Sequence, residues 1–261
     1  MRFTNTVRQI TTSRYYRTNT LATLRLLYAR WLYLRTRVAD VESMFLSLGV
    51  RPESALKSFE KWRPALESAL GRVQNKGEGH GGISLEDGMF LYGITRALRP
   101  EYVVETGVAA GISSSFFGAA LLENQTGQLI SIELPPDEIG TGLSRDGSKY
   151  DWQAYGVGWA IPSEIAKGME GRHTLILDDV KRALPRLVAS IPYVDVFFHD
   201  DLHLPEHMLW EYELIWPKLR RGAMLISDDV DFGWIQFCRR HRLPKVALKN
   251  MSGLCATRKE A

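Results

Sequence analysis

From residue 83 onward, short apolar runs alternate with longer segments whose apolar residues recur every three or four positions. Such runs are typical of buried strands, and the longer spacing is typical of helices. The alternation predicts an α/β fold with a doubly wound, mostly parallel sheet, because strands that are each followed by a helix pair in parallel. The predicted strands cover residues 102–105, 128–132, 173–177, 194–198, 223–226, 245–248 and 254–257.

The last two predicted strands flank Asn-Met-Ser-Gly and form a hairpin, so the seventh strand of the sheet is reversed. Ser84 and Asp87 have the spacing of a capping box, which marks the start of the first intervening helix. Residues 134–160 are rich in Gly, Asp and Pro and are expected to be irregular. The predicted helices cover residues 84–98, 112–123, a segment ending near 189, 205–219 and 232–242.

The N-terminal third has a different pattern. We expect residues 1–20 to be a flexible basic start, and residues 21–74 to be an N-terminal helical extension. Residues 75–82 (NKGEGHGG) are a flexible joint, after which the main domain covers 83–261. Within the extension, one helix over 21–48 and a second from Pro52 to about Leu70 are predicted. One face of the first helix carries Leu24, Leu27, Tyr28, Trp31, Leu34 and Val38.

Charge is distributed unevenly along the chain. Residues 1–39 contain eight arginines and no acid, although the formal net charge of the whole chain is only +3. The remainder is therefore mildly acidic, and we expect no nucleic-acid partner. The apolar face of the 21–48 helix is expected to pack on the main domain or on a second subunit of a homo-oligomer. Peripheral contact of this arginine-rich helix with a membrane is the alternative.

Composition is that of a folded globular protein, with 45% hydrophobic and 24% charged residues. Cys238 and Cys255 lie in no metal-binding spacing and are expected to be reduced and partly buried. No apolar run is long enough for a membrane span, and the polar start does not resemble a signal peptide. These features favour a cytoplasmic protein. The acid-free, arginine-rich start leaves an organellar transit peptide as an alternative.

Candidate ligand-binding residues follow the first predicted strand. In an open parallel sheet, ligands bind beyond the carboxyl ends of the strands. Small residues there let the backbone approach a ligand closely, and the following helix offers free N–H groups. The spacing is not that of a nicotinamide-binding loop. The candidate residues are Glu105, Gly107, Ala109, Gly111 and Ser113.

Acidic residues follow the next two predicted strands. Glu133 ends the second strand, where a carboxylate can accept hydrogen bonds from both ribose hydroxyls of a nucleoside. Asp179 follows the third strand, where it either accepts from an adenine amino group or caps the next helix. Acids in successive strand tips indicate a nucleoside site.

The densest polar cluster follows the fourth and fifth strands. Adjacent strand tips bring Asp200 near Asp228 and Asp229, and three crowded carboxylates repel one another unless a cation compensates. Oxygen ligands suit Mg²⁺ or Mn²⁺, so these acids are the candidate metal ligands. His203 is the candidate catalytic base, because its ordinary pKa suits proton transfer. Asp200 is also expected to contact the cofactor and to take part in catalysis.

Five ordered motifs run through residues 83–258: ETGVAAG (105–111), SIELPP (131–136), VGWAIP (157–162), FHDDLH (198–203) and WPKLRRGAMLISDDV (216–230). As a set they resemble those of class I S-adenosylmethionine (SAM)-dependent methyltransferases, in the group often labelled cephalosporin-hydroxylase-like or natural-product methyltransferases. Two positions depart from the pattern of that group: Ala109 replaces a common glycine, and Glu133 replaces a common aspartate.

The last two motifs also resemble those of catechol-type O-methyltransferases. That resemblance implies Mg²⁺ binding by carboxylates at Asp200 and Asp228, with an amide-bearing residue at the position of Asp229. It also implies a basic residue at the position of His203 that takes the substrate proton. Histidine in place of lysine and aspartate in place of asparagine are the departures here.

The sequence therefore predicts a SAM-dependent methyltransferase, with a divalent metal assisting methyl transfer to a small-molecule or saccharide hydroxyl. Trp152, Tyr155 and Trp159 are expected near the acceptor. A metal-independent enzyme that uses His203 as its base is a second hypothesis. A nucleotide-binding or scaffold protein docked by its basic helix is a third, which involves no catalysis.

Overall fold

The computed structural model describes residues 18–21, 23–25, 27–28, 31, 37–38, 40–74, 83–136, 155–244, 246–248 and 253–260. The predicted flexible start, the joint at 75–82 and Trp152 lie wholly or largely outside the described residues. The strands are β1 (Arg37–Val38), β2 (Tyr102–Thr106), β3 (Gln128–Glu133), β4 (His173–Leu177), β5 (Val194–His199), β6 (Leu219–Ser227), β7 (Val246–Leu248) and β8 (Cys255–Arg258).

Helices occupy the segments between these strands. A short 3₁₀ helix, Trp216–Lys218, lies directly before β6. The α-helices are α1 (Val41–Ser47), α2 (Pro52–Ala55), α3 (Phe59–Gln74), α4 (Leu85–Leu98), α5 (Ile112–Asn124), α6 (Ser163–Gly168), α7 (Val180–Ser190), α8 (Pro205–Ile215) and α9 (Phe232–Arg240).

The strands form one sheet in the order β1-β7-β8-β6-β5-β2-β3-β4. All neighbouring pairs are parallel except those of β8, which runs antiparallel to both β6 and β7. The predicted α/β fold, with a mostly parallel seven-stranded sheet and a reversed last strand, is confirmed. The two-residue strand β1 is an addition at one edge. Strand order reverses between β2 and β5, where a ligand crevice is expected.

Helices cover both faces of the sheet, because alternate side chains of each strand point to opposite sides. On one face, Val103 and Phe198 pack with the helices of the N-terminal extension and with α4, α5 and α6. On the other face, Val104 and Phe197 pack with α7, α8 and α9. The buried alternation explains why the apolar runs of the sequence locate these strands so well.

The N-terminal extension departs from the predicted single helix over 21–48. Arg37 and Val38 pair with β7, and Asp40 starts a separate helix by accepting a hydrogen bond from the Ser43 N–H at 2.8 Å. An aspartate that caps its own downstream N–H groups favours a helix start over a continuing helix. The second predicted helix is also divided, into α2 and α3. Phe45 of α1 stacks on Phe90 of α4, so the extension shares the core of the main domain.

Two further boundaries differ from prediction. The helix predicted over 205–219 ends at Ile215, because Pro217 has no N–H to continue it. Strand β6 therefore begins at Leu219, four residues before the predicted strand, and its exposed arginines concealed this start. Helix α6 was not predicted. Both hydrogen bonds of the predicted capping box between Ser84 and Asp87 are present.

Both cysteines are free and buried, as predicted. Among the residues that the structure describes, no helix combines the length and the apolar character needed to cross a membrane.

Two helical glycines provide a test of this packing. A β-carbon at Gly88 in α4 would lie 2.3 Å from the Phe116 ring, whereas one at Gly71 in α3 would have no neighbour within 4 Å. We expect Gly88→Ala to lower the free energy of unfolding by about 1–3 kcal/mol through overpacking. Gly71→Ala should raise it by about 0.5–1 kcal/mol through helix propensity. Urea unfolding measures both, and effects of the same sign would contradict the described contact between α4 and α5.

Candidate active site at the carboxyl edge of the sheet

The turn from β2 into α5 is the centre of the candidate site. Gly107 and Gly111 have φ values of +83° and +87°, a left-handed conformation that favours glycine. Ala109 also has a positive φ of 48°, which is uncommon for a residue with a β-carbon. A β-carbon at Gly107 would lie 2.1 Å from the backbone oxygen of Asp200. The turn thus requires glycine at 107 to let β2 and β5 approach each other.

Glu105 lies beneath this turn and is fully buried. Its carboxylate accepts hydrogen bonds from the hydroxyls of Ser113 at 2.9 Å and Ser131 at 2.6 Å, and a shorter one from Ser114. Burial raises the pKa of Glu105 to about 7, although the hydroxyls oppose the shift. Because its partners come from α5 and β3, Glu105 fastens the turn to the sheet. This environment supports a positioning role for Glu105 and Ser113 behind the turn.

Glu133, at the tip of β3, faces the same turn from the neighbouring strand. Its Oε2 accepts from the N–H groups of Val108 and Ala109, each at 2.7 Å, and its Oε1 accepts from Leu134 at 2.9 Å. Burial raises the pKa of Glu133, while these backbone donors oppose the increase. A carboxylate has about four acceptor positions, so one position on Oε1 stays available for a ligand hydroxyl.

A described part of the predicted irregular segment, residues 155–161, packs onto the turn. Gly158 donates its N–H to the Ala109 carbonyl at 2.8 Å, and Ala160 donates to the Ala110 carbonyl at 2.9 Å. Arg72 of α3 donates to the Ala160 carbonyl at 2.7 Å, which ties this segment to the N-terminal extension. The glycine turn is therefore covered on one side by residues from two distant parts of the chain.

The aromatic residues predicted near an acceptor lie in this covering segment. The rings of Tyr155 and Trp159 are 5.2 Å apart. Tyr155 is exposed, while Trp159 is partly buried against the core with its indole N–H lacking a hydrogen-bond partner. The pair lies beside the turn, and its contact with an acceptor stays a prediction.

Asp179 caps α7. Its side chain accepts from the Lys181 N–H at 2.7 Å, so the capping alternative raised for this residue is present in the structure. The adjacent Asp178 pairs with Arg182 and Arg186, whose charges and hydrogen bonds lower the pKa of Asp178. The adenine contact assigned to Asp179 stays a prediction.

Asp200 and Asp228 lie at the tips of β5 and β6. One ligand atom from each of Asp200, His203 and Asp228 lies within 4.8 Å of the other two, a spacing that suits a metal ion. Burial raises the pKa of Asp228 well above its usual value, and the charges of Asp200 and Asp229 raise it further. The Oδ1 atom of Asp228 is buried and has no hydrogen-bond partner. A cation would compensate this repulsion.

His203, predicted as a base, lies between acids. Its Nδ1 is 3.2 Å from Oδ2 of Asp229, and its Nε2 is 3.4 Å from Oδ1 of Asp200, a contact without hydrogen-bond geometry. Burial lowers the pKa of His203, but Asp200 and Asp229 outweigh burial and raise it well above the usual value. Asp229, predicted as a metal ligand, thus contacts the imidazole and is not a member of the three-residue group.

A second buried polar network adjoins the first. Glu211 of α8 is 2.8 Å from Nδ1 of His199 and 3.2 Å from Nε2 of His207, and it accepts from the Thr106 hydroxyl at 2.8 Å. Asp201 lies 3.0 Å from Nε2 of His207. Burial opposes both charges, yet His199, followed by His207, lowers the pKa of Glu211 to about 2, and Asp201, followed by Glu211, raises the pKa of His207 to about 9. This network fastens α8 to the tips of β2 and β5.

Sequence reasoning missed the serine partners of Glu105 and the pairing of Glu211 with histidines. Ser131 lies opposite Glu105 in the β2–β3 register, a contact that required knowledge of strand register. Glu211 is four residues after His207 on α8, a spacing that places both side chains on one helix face. That spacing was a usable signal in the sequence.

Residues 104–230 match the family model of a methyltransferase domain. No curated protein matches the chain.

Solved structures share the fold at low sequence identity. A candidate O-methyltransferase from Klebsiella pneumoniae is 19% identical with a TM-score of 0.56, over 76% of this chain and 90% of that one. The O-methyltransferase TomG from Streptomyces achromogenes, involved in tomaymycin synthesis and solved with SAM, is 17% identical with a TM-score of 0.55, over 76% and 90%. An O-methyltransferase from Bacillus cereus, solved with SAH, is 16% identical with a TM-score of 0.54, over 75% and 91%.

The family match starts within β2 and ends just after the acids that follow β6, so it includes every strand tip of the candidate site except those of the C-terminal hairpin. Because the matched residues carry the glycine turn, Glu133 and the acid cluster in the expected strand order, residues 104–230 form a methyltransferase domain.

Proposed function

We propose that this enzyme is a divalent-metal-assisted O-methyltransferase that acts on a hydroxyl group of a small molecule or saccharide. The observation that carries the proposal is the group formed by Asp200, His203 and Asp228 at the carboxyl edge of the sheet. The O-methyltransferases among the solved neighbours support an oxygen acceptor. The family match makes the nonenzymatic scaffold hypothesis unnecessary.

The glycine turn and Glu133 are the proposed cofactor site. Bound SAM supplies a methyl group that is already activated on a sulfonium. Gly107 and Gly111 permit close approach to the backbone, and the remaining acceptor position of Glu133 suits a ribose hydroxyl. Glu133 also holds the turn in shape through Val108 and Ala109. One carboxylate therefore orders the turn and binds the cofactor.

The acid cluster fits a divalent cation. Two buried ligand atoms there, Oδ1 of Asp228 and Nε2 of His203, lack hydrogen-bond partners. A bound cation supplies positive charge that lowers the pKa of an acceptor hydroxyl. The side chains of Asp200 and His203 are 22% and 21% exposed, so an acceptor can reach the cluster from solvent.

The geometry favours His203 as a metal ligand over His203 as a base. Asp229 faces Nδ1, and a carboxylate at one imidazole nitrogen directs the other nitrogen toward a metal. Asp229 then orients a ligand, and the proposed ligands become Asp200, His203 and Asp228. One imidazole with two carboxylates fits Mn²⁺ better than Mg²⁺, which prefers oxygen ligands alone. The metal-independent alternative keeps His203 as the base.

Glu133 provides the test of the cofactor site. Glu133→Gln removes the charge and places an amide N–H₂ near backbone donors that now have a carboxylate partner. We expect SAM to bind about 10–100-fold more weakly, because hydrogen bonds to a charged group are lost. Titration calorimetry with SAM measures the effect. Glu86→Gln, at an exposed position of α4, is the control, and equal affinities for the two variants would refute the assignment.

Asp228 provides the test of the metal site. We expect Asp228→Asn to weaken Mn²⁺ binding at least about tenfold in calorimetry, since a carboxylate ligand is lost. Without metal, the same change should raise the midpoint of thermal unfolding at neutral pH. The pKa of Asp228 is raised in the folded state, so its charged form opposes folding at higher pH. Asp178→Asn, which removes a surface carboxylate, should do neither.

Metal removal separates the two enzymatic hypotheses. Methyl transfer should be lost in EDTA and recover more fully with Mn²⁺ than with Mg²⁺. His203→Asn should reduce the apparent affinity for Mn²⁺ by about tenfold or more, because a ligand is lost. Full activity in EDTA, combined with loss of activity in His203→Asn, would instead establish the metal-independent enzyme.

A further inference from the structure

The described residues between 20 and 31 are helical, and their apolar side chains face outward. The first turn is closed by the Thr23 N–H, which donates to the Asn19 carbonyl at 3.0 Å. The large side chains at 21, 24, 28 and 31 follow the spacing of a single helix face. The exposed fractions are 57% for Leu21, 57% for Leu24, 39% for Leu27, 40% for Tyr28 and 47% for Trp31.

Arg25 joins this helix to the main domain. Its guanidinium lies 3.6 Å from the Glu206 carboxylate and 5.0 Å from the centre of the Phe232 ring. Both partners belong to the first turns of helices on the main domain, α8 and α9. Arg25 is four residues after Leu21 and three before Tyr28, so it lies on the same helix face as the apolar stripe, Leu21 to Trp31, and its contact borders that stripe. The stripe is about half exposed beside this contact, whereas Val38, from the same predicted apolar face, packs against the core.

An exposed stripe of leucine and aromatic side chains indicates a surface that is covered in use. Contiguous apolar patches on monomers mark binding sites more often than scattered apolar residues do. Tyrosine and tryptophan, with an apolar ring and a polar atom, favour the boundary between water and lipid. The rings of Tyr28 and Trp31 stack 6.0 Å apart on this stripe.

The charge of the N-terminal segment indicates which kind of surface covers the stripe. The first 39 residues carry eight arginines and no acidic residue, so the stripe belongs to a strongly basic segment. An interfacial helix combines such a basic segment with an apolar face that enters the headgroup region. We propose that the stripe Leu21 to Trp31 docks the enzyme on an anionic phospholipid surface. This docking is independent of the metal and of the methyl acceptor.

A second copy of the chain is a poorer occupant. Two-fold pairing brings the same segment of each copy together, so two strongly basic segments would approach each other. Like charges in contact oppose association, whereas anionic headgroups attract each arginine. The contacts of Arg25 with the first turns of α8 and α9 also place the proposed lipid surface beside the strand tips that carry Asp200 and Asp228.

Vesicle cosedimentation of the full chain tests the proposal. We expect binding to vesicles that contain phosphatidylglycerol, and at least about tenfold weaker binding to phosphatidylcholine alone. High ionic strength should weaken binding further. The triple variant Leu21→Gln/Leu24→Gln/Trp31→Gln keeps every arginine and should lose at least about tenfold in affinity for the anionic vesicles. The matched control is Leu46→Gln/Leu175→Gln, which removes exposed leucines elsewhere and should bind normally.

Circular dichroism and SAM calorimetry check that the triple variant is folded, and both should be unchanged. Equal binding of the wild type to both vesicle types, or unchanged binding by the triple variant, would overturn the proposal. A wild type that binds neither vesicle, and is a dimer by light scattering where the triple variant is a monomer, would assign the stripe to a second copy instead.

Discussion

The close approach of two strand tips governs the candidate active site. The backbone at Gly107 lies so near the Asp200 carbonyl that a β-carbon would stand 2.1 Å from it. The Asp200 N–H also donates to the Thr106 carbonyl at 2.8 Å, which extends the pairing of β2 and β5 past their ends. Strand order reverses at this pair, so no third strand separates the cofactor turn from the acid cluster. A larger residue at 107 would separate them.

Because the strand tips converge, several acidic side chains lie close together at one edge of the sheet, and their negative charges must be balanced. Each of three buried acids has a different compensation: hydroxyls for Glu105, backbone N–H groups for Glu133, and two imidazoles for Glu211. Asp228 has an Oδ1 with no hydrogen-bond partner and lies near two further carboxylates. Oδ1 of Asp228 therefore lacks such a partner among the described residues, and an external cation would balance the negative charge of this acid. For this reason the metal is proposed at Asp228.

The central strands β2, β3 and β5 were predictable because both faces of the sheet are buried there and most of their residues are apolar. The strand tips followed, so Glu105, Glu133, Asp200 and Asp228 could be assigned to one edge before the structure was known. Side-chain direction was not predictable. Glu105 was expected to face a ligand, but it faces three serines, one of them on the neighbouring strand. Such contacts depend on register and rotamer, which a single sequence does not encode in any visible period.

The N-terminal helix shows the same limit in a different form. Spacing of apolar residues indicates that a helix has an apolar face, but burial of that face depends on which of its residues contact the rest of the protein. Here Arg25, on the same helix face as Leu21 and Tyr28, reaches an acid and an aromatic ring on the main domain, while Leu21 and Leu24 are more than half exposed. The strand at Arg37 and Val38 pairs with the sheet edge. Hydrophobicity alone therefore does not predict which side chains of this helix are buried, because a charged residue within the apolar stripe makes the contact with the main domain.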